Sequence, residues 1–227
     1  MITALYLWKV SWGSIPRAIS HMATDQVRLR LNSDIAFSKL LGTGKGKSFT
    51  PRDADLKRWG LLVTLDEAKL DHFDNSALIN NWRKFSQSEY RAVLHPLSAH
   101  GEWSGQEPFA ATPIEGWEGE VAAITRARIK PRKNLLFLKS VPPVVESLRT
   151  SPGLTYAIGI GEAPLGLQGT FSLWSNAAAL RDFAYKGSAH VGAISATETE
   201  KWYSEELFAR FAVIDQRGEI SGQPTQD

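Results

Sequence analysis

The order of strand and helix patterns repeats once along the chain, and this repeat restricts the fold more than any other feature. Apolar and β-branched runs in the second half predict four strands, at Glu120–Ile129, Gly153–Ile160, Gly169–Trp174 and Leu207–Ile214. A helical pattern interrupted at Pro142-Pro143 follows the first of these strands. Asn176 is placed to cap a second helix that continues beyond His190. The second half therefore has the order βαββαβ.

The first half gives the same order. Strands are predicted at Ile2–Val10, Ile35–Leu41 and Trp59–Leu65, with a fourth, short strand near Phe109. One helix is predicted from about Ser14 to Leu31, and another begins at Asn75. The apolar residues of this second helix are Leu78, Ile79, Trp82, Phe85 and Tyr90.

Sequence anchors recur about a hundred residues apart, which favours an internal repeat. Phe85 and Tyr90 match Tyr185 and His190 in spacing. An aromatic residue follows each pair, at Trp103 and Tyr203. A looser match relates Leu41–Gly44 to Ile158–Gly161.

These patterns predict an α+β fold in which two halves pack their sheets together. A lone four-stranded sheet with helices on one side leaves its other face exposed, whereas two such sheets bury both. The sequence therefore predicts tandem ferredoxin-like repeats, βαββαβ twice, that form a dimeric-α/β-barrel-like fold within one chain. Residues 1–115 are expected to form the first repeat and residues 116–227 the second.

Composition excludes several classes of function. The net charge of +2 over 227 residues is too small to indicate nucleic-acid binding. The chain has neither the roughly 18 consecutive apolar residues of a membrane span nor the features of a secretory signal, so a cytoplasmic location is expected. Cysteine is absent, which removes disulfides, iron–sulfur ligation and thiolate ligation of haem.

The segment Gly42–Ser48 resembles a phosphate-binding loop but has the wrong spacing. The position five residues before Gly46 is Leu41 rather than glycine, and no helix pattern follows Ser48, so no nucleotide site is predicted. The neighbouring cations form either a solvated hairpin tip or a basic rim that meets acidic partners or lipid headgroups. These cations are Lys45, Lys47, Arg52, Lys57 and Arg58.

Several long blocks resemble one known enzyme family. They are Leu40–Gly46, Phe49–Leu56, Arg58–Gly60, Ala123–Ile129, Ala157–Pro164, Gly166–Trp174, Phe183–Gly187 with His190, and Trp202–Phe211. In these blocks the chain resembles spheroidene monooxygenase. The resemblance implies a haem-dependent oxygenase that introduces a keto group at C-2 of acyclic carotenoids. It further implies haem b, O2 and electrons from a ferredoxin-type donor.

The substrate implied by the resemblance is too apolar to dissolve in the cytosol, so peripheral contact with the inner face of the membrane is expected. Two alternatives to oxygenation stay open, because a fold does not fix a function. One is a haem-dependent lyase or dehydratase acting on another apolar substrate. The other is a haem-binding protein without turnover.

Imidazole is the first candidate for the axial ligand of the implied haem, because no thiolate is available, and the tyrosine phenolate is the second. His190 lies in a block that carries the resemblance, among small residues that would admit a flat macrocycle. It is therefore the predicted iron ligand, with a hydrogen-bonded core histidine as the alternative. The other histidines are His21, His72, His95 and His100.

Four further residues are candidates in or near the predicted haem pocket. Arg126 and Arg128 alternate on one strand and suit bidentate pairing with propionates, with ion pairs to Glu118 or Glu120 as the alternative. Tyr185 is predicted to line the pocket. Glu162, near its mouth, is either a proton donor or a solvated turn residue.

Overall fold

The strands of the described residues close into a single antiparallel barrel. The computed structural model describes residues 1–48, 53–130, 132, 134–162, 169–186 and 203–220. Its strands are β1 (Ile2–Val10), β2 (Ile35–Gly44), β3 (Ala54–Leu65), β4 (Ser86–Gly101), β5 (Val121–Ile129), β6 (Leu154–Gly161), β7 (Gly169–Trp174) and β8 (Tyr203–Gly218). Around the barrel they follow the order β1-β3-β2-β6-β7-β5-β8-β4. The predicted α+β class and the barrel within one chain are confirmed.

The helices pack on the outer face of this barrel. They are α1 (Ile15–Leu31), α2 (Leu70–Asp74), α3 (Ala77–Phe85), α4 (Asn134–Arg149) and α5 (Ala177–Lys186). Ser76 caps α3 through a hydrogen bond from the Ile79 N–H, and Asn176 caps α5 through one from the Ala179 N–H. None of the helices in the described ranges combines the length and apolar character needed to cross a bilayer.

The alternation of strand side chains divides the core into an inner and an outer layer. On β1, Leu5 and Leu7 point into the barrel, whereas Tyr6 and Trp8 point outward and pack under the helices of the first half. The Trp8 ring stacks on Trp82 of α3 with 4.8 Å between ring centroids. Among the described residues, buried side chains such as Phe211 fill much of the interior.

Three predicted boundaries are wrong. The second helix of the first half ends at Phe85, and Tyr90 lies on β4, which begins at the next residue. The fourth strand is therefore β4 rather than a short strand near Phe109, whose ring instead packs edge-on against Phe211. Helix α4 continues through the prolines at which an interruption was predicted, and its second half buries Leu148 against the outer face of the sheet.

Equivalent features occur at corresponding places in the two halves. Strands β4 and β8 are both 16 residues long and end in glycines with positive φ, Gly101 and Gly218. A Cβ on either glycine would lie 2.1 Å or less from the backbone oxygen of Glu206 or Glu89 on the partner strand, so neither position accommodates a side chain. Across the junction of β2 and β6, Gly42 pairs with Gly161.

The predicted sequence anchors agree only partly with these equivalences. The caps of α3 and α5, Ser76 and Asn176, do lie a hundred residues apart. The match of Trp103 with Tyr203 is wrong, because Trp103 follows β4 whereas Tyr203 begins β8. The division of the chain between residues 115 and 116 stays a prediction.

Candidate ligand groove and ionic cluster

A groove of about 660 Å³ runs along the outside of the barrel between α1 and β2. Residues 35–40 of β2 form one wall, and the buried side chains of Leu29 and Trp59 form the inner surface. The opposite wall is a stripe at helical spacing on α1, made of Ile19, Met22, Ala23, Gln26 and Arg30. This volume lies within the range of about 300–1,000 Å³ that is typical of small-molecule sites.

The groove lies at the junction of the two halves of the barrel. In the described ranges, β2 pairs with β6 only at Gly42 with Gly161 and at Thr43 with Ile160. The earlier residues of β2 therefore extend past the described end of β6. Ser104, Gln106 and Glu162 complete the lining there. The groove thus combines an apolar helix wall with a polar end.

Arg126 is the centre of an ionic cluster at this polar end. Its side chain is only 3% exposed, and its Nη2 donates to Oε1 of Glu162 at 2.9 Å. Its Nη1 pairs with Glu205. The guanidinium carbon lies 5.4 Å from the centre of the Trp103 ring, and the indole N–H of Trp103 donates to Glu162 at 2.7 Å. Arg126 therefore joins β5, β6 and β8 at one end of the barrel.

Further donors stabilise both carboxylates of the cluster. Lys39 Nζ donates to Glu162 at 2.9 Å, and the backbone N–H groups of Ser104 and Gly105 donate to Glu205 at 3.0 and 2.9 Å. Burial alone would raise the pKa of Glu162, but hydrogen bonds from Lys39 and Trp103 and the charge of Arg126 outweigh it and lower the pKa. The pKa of Glu205 is likewise lowered, because its hydrogen bonds and Arg126 outweigh its burial.

We predict that this cluster makes stability depend on pH in the acidic range. Because the folded-state pKa of Glu162 is below the ordinary value of about 4.3, the ionised group stabilises the fold above that pH. This contribution is lost as the pH falls through the lowered pKa. Glu162→Gln should therefore show a weaker loss of stability on acidification, measured by urea unfolding between about pH 6 and pH 3.

Glu206→Gln is the matched control for this prediction, since Glu206 is exposed on β8. It should follow the wild-type pH dependence. A wild-type slope in Glu162→Gln would show that proton binding at Glu162 is not coupled to folding.

The opposite end of the barrel carries a second polar site. Arg58 Nη1 donates to the hydroxyl oxygen of Tyr156 at 3.2 Å. Burial raises the pKa of Tyr156 to about 12, although Arg58 acts in the other direction. The cavity beside them, which Lys9 and Tyr90 also line, holds about 10 Å³. Such a volume suits about one water molecule, so this site is too small for a substrate.

The glycine-rich loop after β2 binds a carboxylate of its own chain. Asp53 is 4% exposed, and its Oδ2 accepts the backbone N–H groups of Lys47 at 2.8 Å and Ser48 at 3.1 Å. A phosphate in such a loop would need these same N–H groups. The geometry therefore supports the prediction that Gly42–Ser48 binds no nucleotide.

Of the predicted pocket residues, the structure describes the side chains of Arg126 and Arg128. Arg126 is buried and Arg128 is exposed on the same strand, and the partners of Arg126 are Glu162 and Glu205 rather than the predicted Glu118 or Glu120. Tyr185 is part of helix α5. His190 lies outside the described residues, and its predicted role stays a prediction. Glu162, for which a solvated turn was one interpretation, instead accepts hydrogen bonds from Lys39, Trp103 and Arg126.

The remaining histidines are either paired or exposed. His21 Nδ1 lies 2.9 Å from Asp25, which also accepts the indole N–H of Trp82 at 3.1 Å. His95 Nε2 donates to the carbonyl of Thr112 at 2.8 Å. His72 and His100 are exposed. In the part of the chain that the structure describes, no group of three or more His, Asp or Glu side chains is arranged to hold a metal ion.

Sequence reasoning missed Lys39 and Glu205 and the groove itself. Lys39 and Glu205 are separated from Glu162 by long stretches of sequence, so only the closed barrel brings them together. The groove left one signal in the sequence. Ala18 and Leu29 belong to the face of α1 that is buried against the barrel. Ile19, Met22 and Ala23 form a second apolar stripe next to that face. Two such stripes on one helix indicate a second contact surface.

Comparison with solved structures identifies the class of barrel. The fold is similar to a crystal structure of aldoxime dehydratase, with a TM-score of 0.58 and 11% identity over 96% of this chain and 83% of that chain. A second aldoxime dehydratase, in complex with butyraldoxime, gives a TM-score of 0.57 over 94% and 79% of the two chains. At this identity the likeness shows the fold alone. The chain is thus an α/β barrel protein of this architecture.

Comparison of sequences identifies the family. The chain is 36% identical to spheroidene monooxygenase of Rhodobacter capsulatus over 93% of its length and 89% of that protein. It is 35% identical to the Rubrivivax gelatinosus enzyme over 82% and 72% of the two chains. Over 90% of this chain and 64% of the Cereibacter sphaeroides enzyme, the identity is 30%. No family model matches. The chain belongs to the spheroidene monooxygenase family and is an oxidoreductase.

Proposed function

We propose that the protein is a haem-dependent monooxygenase that introduces a keto group at C-2 of acyclic carotenoids such as spheroidene. The observation that carries this proposal is the 36% identity with a spheroidene monooxygenase over nearly the whole length of both chains. Oxygen insertion at a saturated carbon needs O2 and electrons, so the proposal includes a ferredoxin-type electron donor.

The donor set of the chain fits haem b held by imidazole. The chain has no cysteine, and the described histidines are paired or exposed, which supports His190 as the iron ligand. Arg128 is exposed beside Arg126 and suits a propionate, whereas Arg126 would have to share its guanidinium with Glu162 and Glu205. Tyr185 is proposed to line the pocket. When bound, the haem iron would supply the activation of O2.

The repeat supports a further part of the proposal, that each half is a ferredoxin-like unit. Within the first half the strands lie in the order β4-β1-β3-β2, and within the second in the order β8-β5-β7-β6. The paired glycines Gly101 and Gly218 support the same relation. The sheets of the two units would then provide a rigid frame against which the substrate is held.

Access to an apolar substrate supports peripheral contact with a membrane. Trp12 is 70% exposed and Leu56 is 42% exposed, near the ends of β1 and β3 that lie on one side of the barrel. Lys57 lies 5.5 Å from the centre of the Trp12 ring, and Lys45 and Lys47 are exposed on the neighbouring loop. An exposed indole among cations suits the headgroup region of an anionic bilayer. Trp59, on the same strand as Leu56, is buried.

We predict that charge reversal at Lys45 and Lys47 weakens binding to anionic liposomes. Each cation near such a surface contributes about 1 kcal/mol, so Lys45→Glu with Lys47→Glu should reduce binding by at least about tenfold at low salt. Co-sedimentation with vesicles of phosphatidylglycerol and phosphatidylcholine measures the effect. Lys130→Glu with Arg132→Glu is the matched control, because both residues are exposed and follow β5 at the other end of the barrel. Equal losses in the two double variants would contradict a defined membrane-facing side.

Visible spectra and product analysis test the proposed function. Protein from haem-replete cells should show a Soret band that shifts on reduction and with CO. With ferredoxin, its reductase, O2 and spheroidene it should form a keto product. Turnover of an apolar substrate by ferrous protein without O2 would favour a lyase or dehydratase. Bound haem without turnover under either condition would favour a haem-binding protein, and absence of the Soret band would overturn the cofactor.

A further inference from the structure

Trp59 is a buried polar group that the barrel leaves without a partner. It lies on β3, is 2% exposed and lines the groove between α1 and β2. Its indole Nε1 makes no hydrogen bond in the structure as described. Other indole N–H groups do find acceptors: Trp8 on Glu89 at 2.7 Å, Trp82 on Asp25 at 3.1 Å, Trp103 on Glu162 at 2.7 Å and Trp174 on Ser172 at 3.0 Å.

The contrast matters because an unpaired N–H in a buried position is costly, and nearly all such groups have partners in folded proteins. A phenylalanine would pack at this position without that cost. The indole ring lines a groove large enough for a ligand, and a ligand that displaces a neighbouring side chain of the lining would reach the buried N–H. An acceptor atom on a bound molecule would satisfy it, whereas a pure hydrocarbon would not.

The lining of the groove indicates what kind of molecule carries this acceptor. Ile19, Met22 and Ala23 on one wall and Ile35 and Leu40 on the other offer apolar contacts. From Ile19 to Arg30 the helix wall extends about 16 Å, at 1.5 Å per residue. A C40 chain is longer than this, so the groove accommodates one end of such a chain and leaves the remainder outside.

We propose that this groove binds one end of an elongated apolar polyene, and that the Trp59 N–H donates to an oxygen atom carried near that end. The inference rests on the proposed function for the class of ligand, and adds the site and the basis of selectivity. Trp59 makes the site prefer polyenes with an ether, hydroxyl or keto oxygen over the corresponding hydrocarbons. Its indole is thus a specificity-determining group.

Binding measurements on the full-length protein test this directly. An acyclic C40 polyene with a terminal methoxy group and the hydrocarbon without it are titrated from detergent micelles, with quenching of tryptophan fluorescence as the readout. Trp59→Phe removes the N–H and keeps an aromatic ring. It should weaken binding of the methoxy polyene by about three- to tenfold, as expected for one hydrogen bond, and leave the hydrocarbon unchanged.

A second variant tests the location without touching Trp59. Ala23→Trp places a large ring in the groove wall and should weaken binding of both polyenes. Val27→Trp is its matched control, because Val27 is 56% exposed on the same helix and does not line the groove. Val27→Trp should bind both polyenes like the wild type.

The outcomes separate this proposal from the proposed function. Equal binding of the two polyenes by the wild type, the same change for both in Trp59→Phe, or unaltered binding in Ala23→Trp would each overturn the site. Keto-product formation by a wild type with any of these results would leave the proposed function intact. Conversely, selective binding that depends on Trp59 without any oxygenation would uphold the site and refute the monooxygenase.

Discussion

His190→Ala is expected to lose most of its bound haem, or its native spectrum, while the barrel stays folded. Removing an axial ligand should reduce haem affinity by at least about tenfold, the loss that follows even from mutation of an outer partner of a metal ligand. The fold should survive because the inner core is formed by residues such as Leu5, Ile124 and Phe211, none of which changes. Haem content per chain and the ferrous–CO spectrum measure the first effect, and far-UV circular dichroism measures the second.

His72→Ala is the control for this prediction, since His72 is exposed on α2. It should retain full haem content and an unaltered spectrum. Full haem content and an unchanged ferrous–CO spectrum in His190→Ala would move the assignment to His95, His100 or Tyr90. Of these three, His95 and Tyr90 already bond to Thr112 and Gln216, so each would have to exchange an existing hydrogen bond for iron.

Local patterns predicted the elements well wherever the pattern was strong. The nearly continuous apolar run Ile2–Val10 and the helical spacing in Ile15–Leu31 placed β1 and α1 within a residue or two. The start of β4 was missed because Ser86–Glu89 is polar and has no alternating apolar pattern. These residues form a strand because β1 pairs with them, and that partner is distant in the sequence.

The candidate site was predictable only in part for a related reason. Arg126 was recognised as a residue that pairs with carboxylates, and besides haem propionates the partners considered were its sequence neighbours Glu118 and Glu120. In the barrel, β8 and the end of β6 lie closer to its guanidinium, and Glu205 and Glu162 are bound instead. The unpaired N–H of Trp59 could not be predicted from the sequence. Whether an acceptor lies within reach of it depends on all the residues that the fold places around the ring.

Asp74 connects the two halves of the barrel on its outer surface. It is 5% exposed and lies at the end of α2. Tyr6 donates to its Oδ1 at 2.5 Å, while Arg91 and Arg217 approach its Oδ2 at 3.2 and 2.8 Å. Burial and the neighbouring Asp74 raise the pKa of Tyr6 well above its ordinary value, so its hydroxyl remains a donor. Because Arg217 comes from β8, this carboxylate holds together elements from both ends of the chain.

Asp74→Ala should therefore be strongly destabilising. Removing one partner of a buried ion pair typically costs about 3–5 kcal/mol, because the remaining charge stays buried without compensation. Here that charge is Arg91, which is 5% exposed and, within the described ranges, would keep its ion pair with Asp215 alone. For a chain of this size the loss corresponds to a fall in Tm of roughly 6–20 °C. Asp71→Ala, on the exposed side of the same helix, should change Tm by no more than about 2 °C. Similar values for the two variants would show that the arginines around Asp74 are adequately solvated without it.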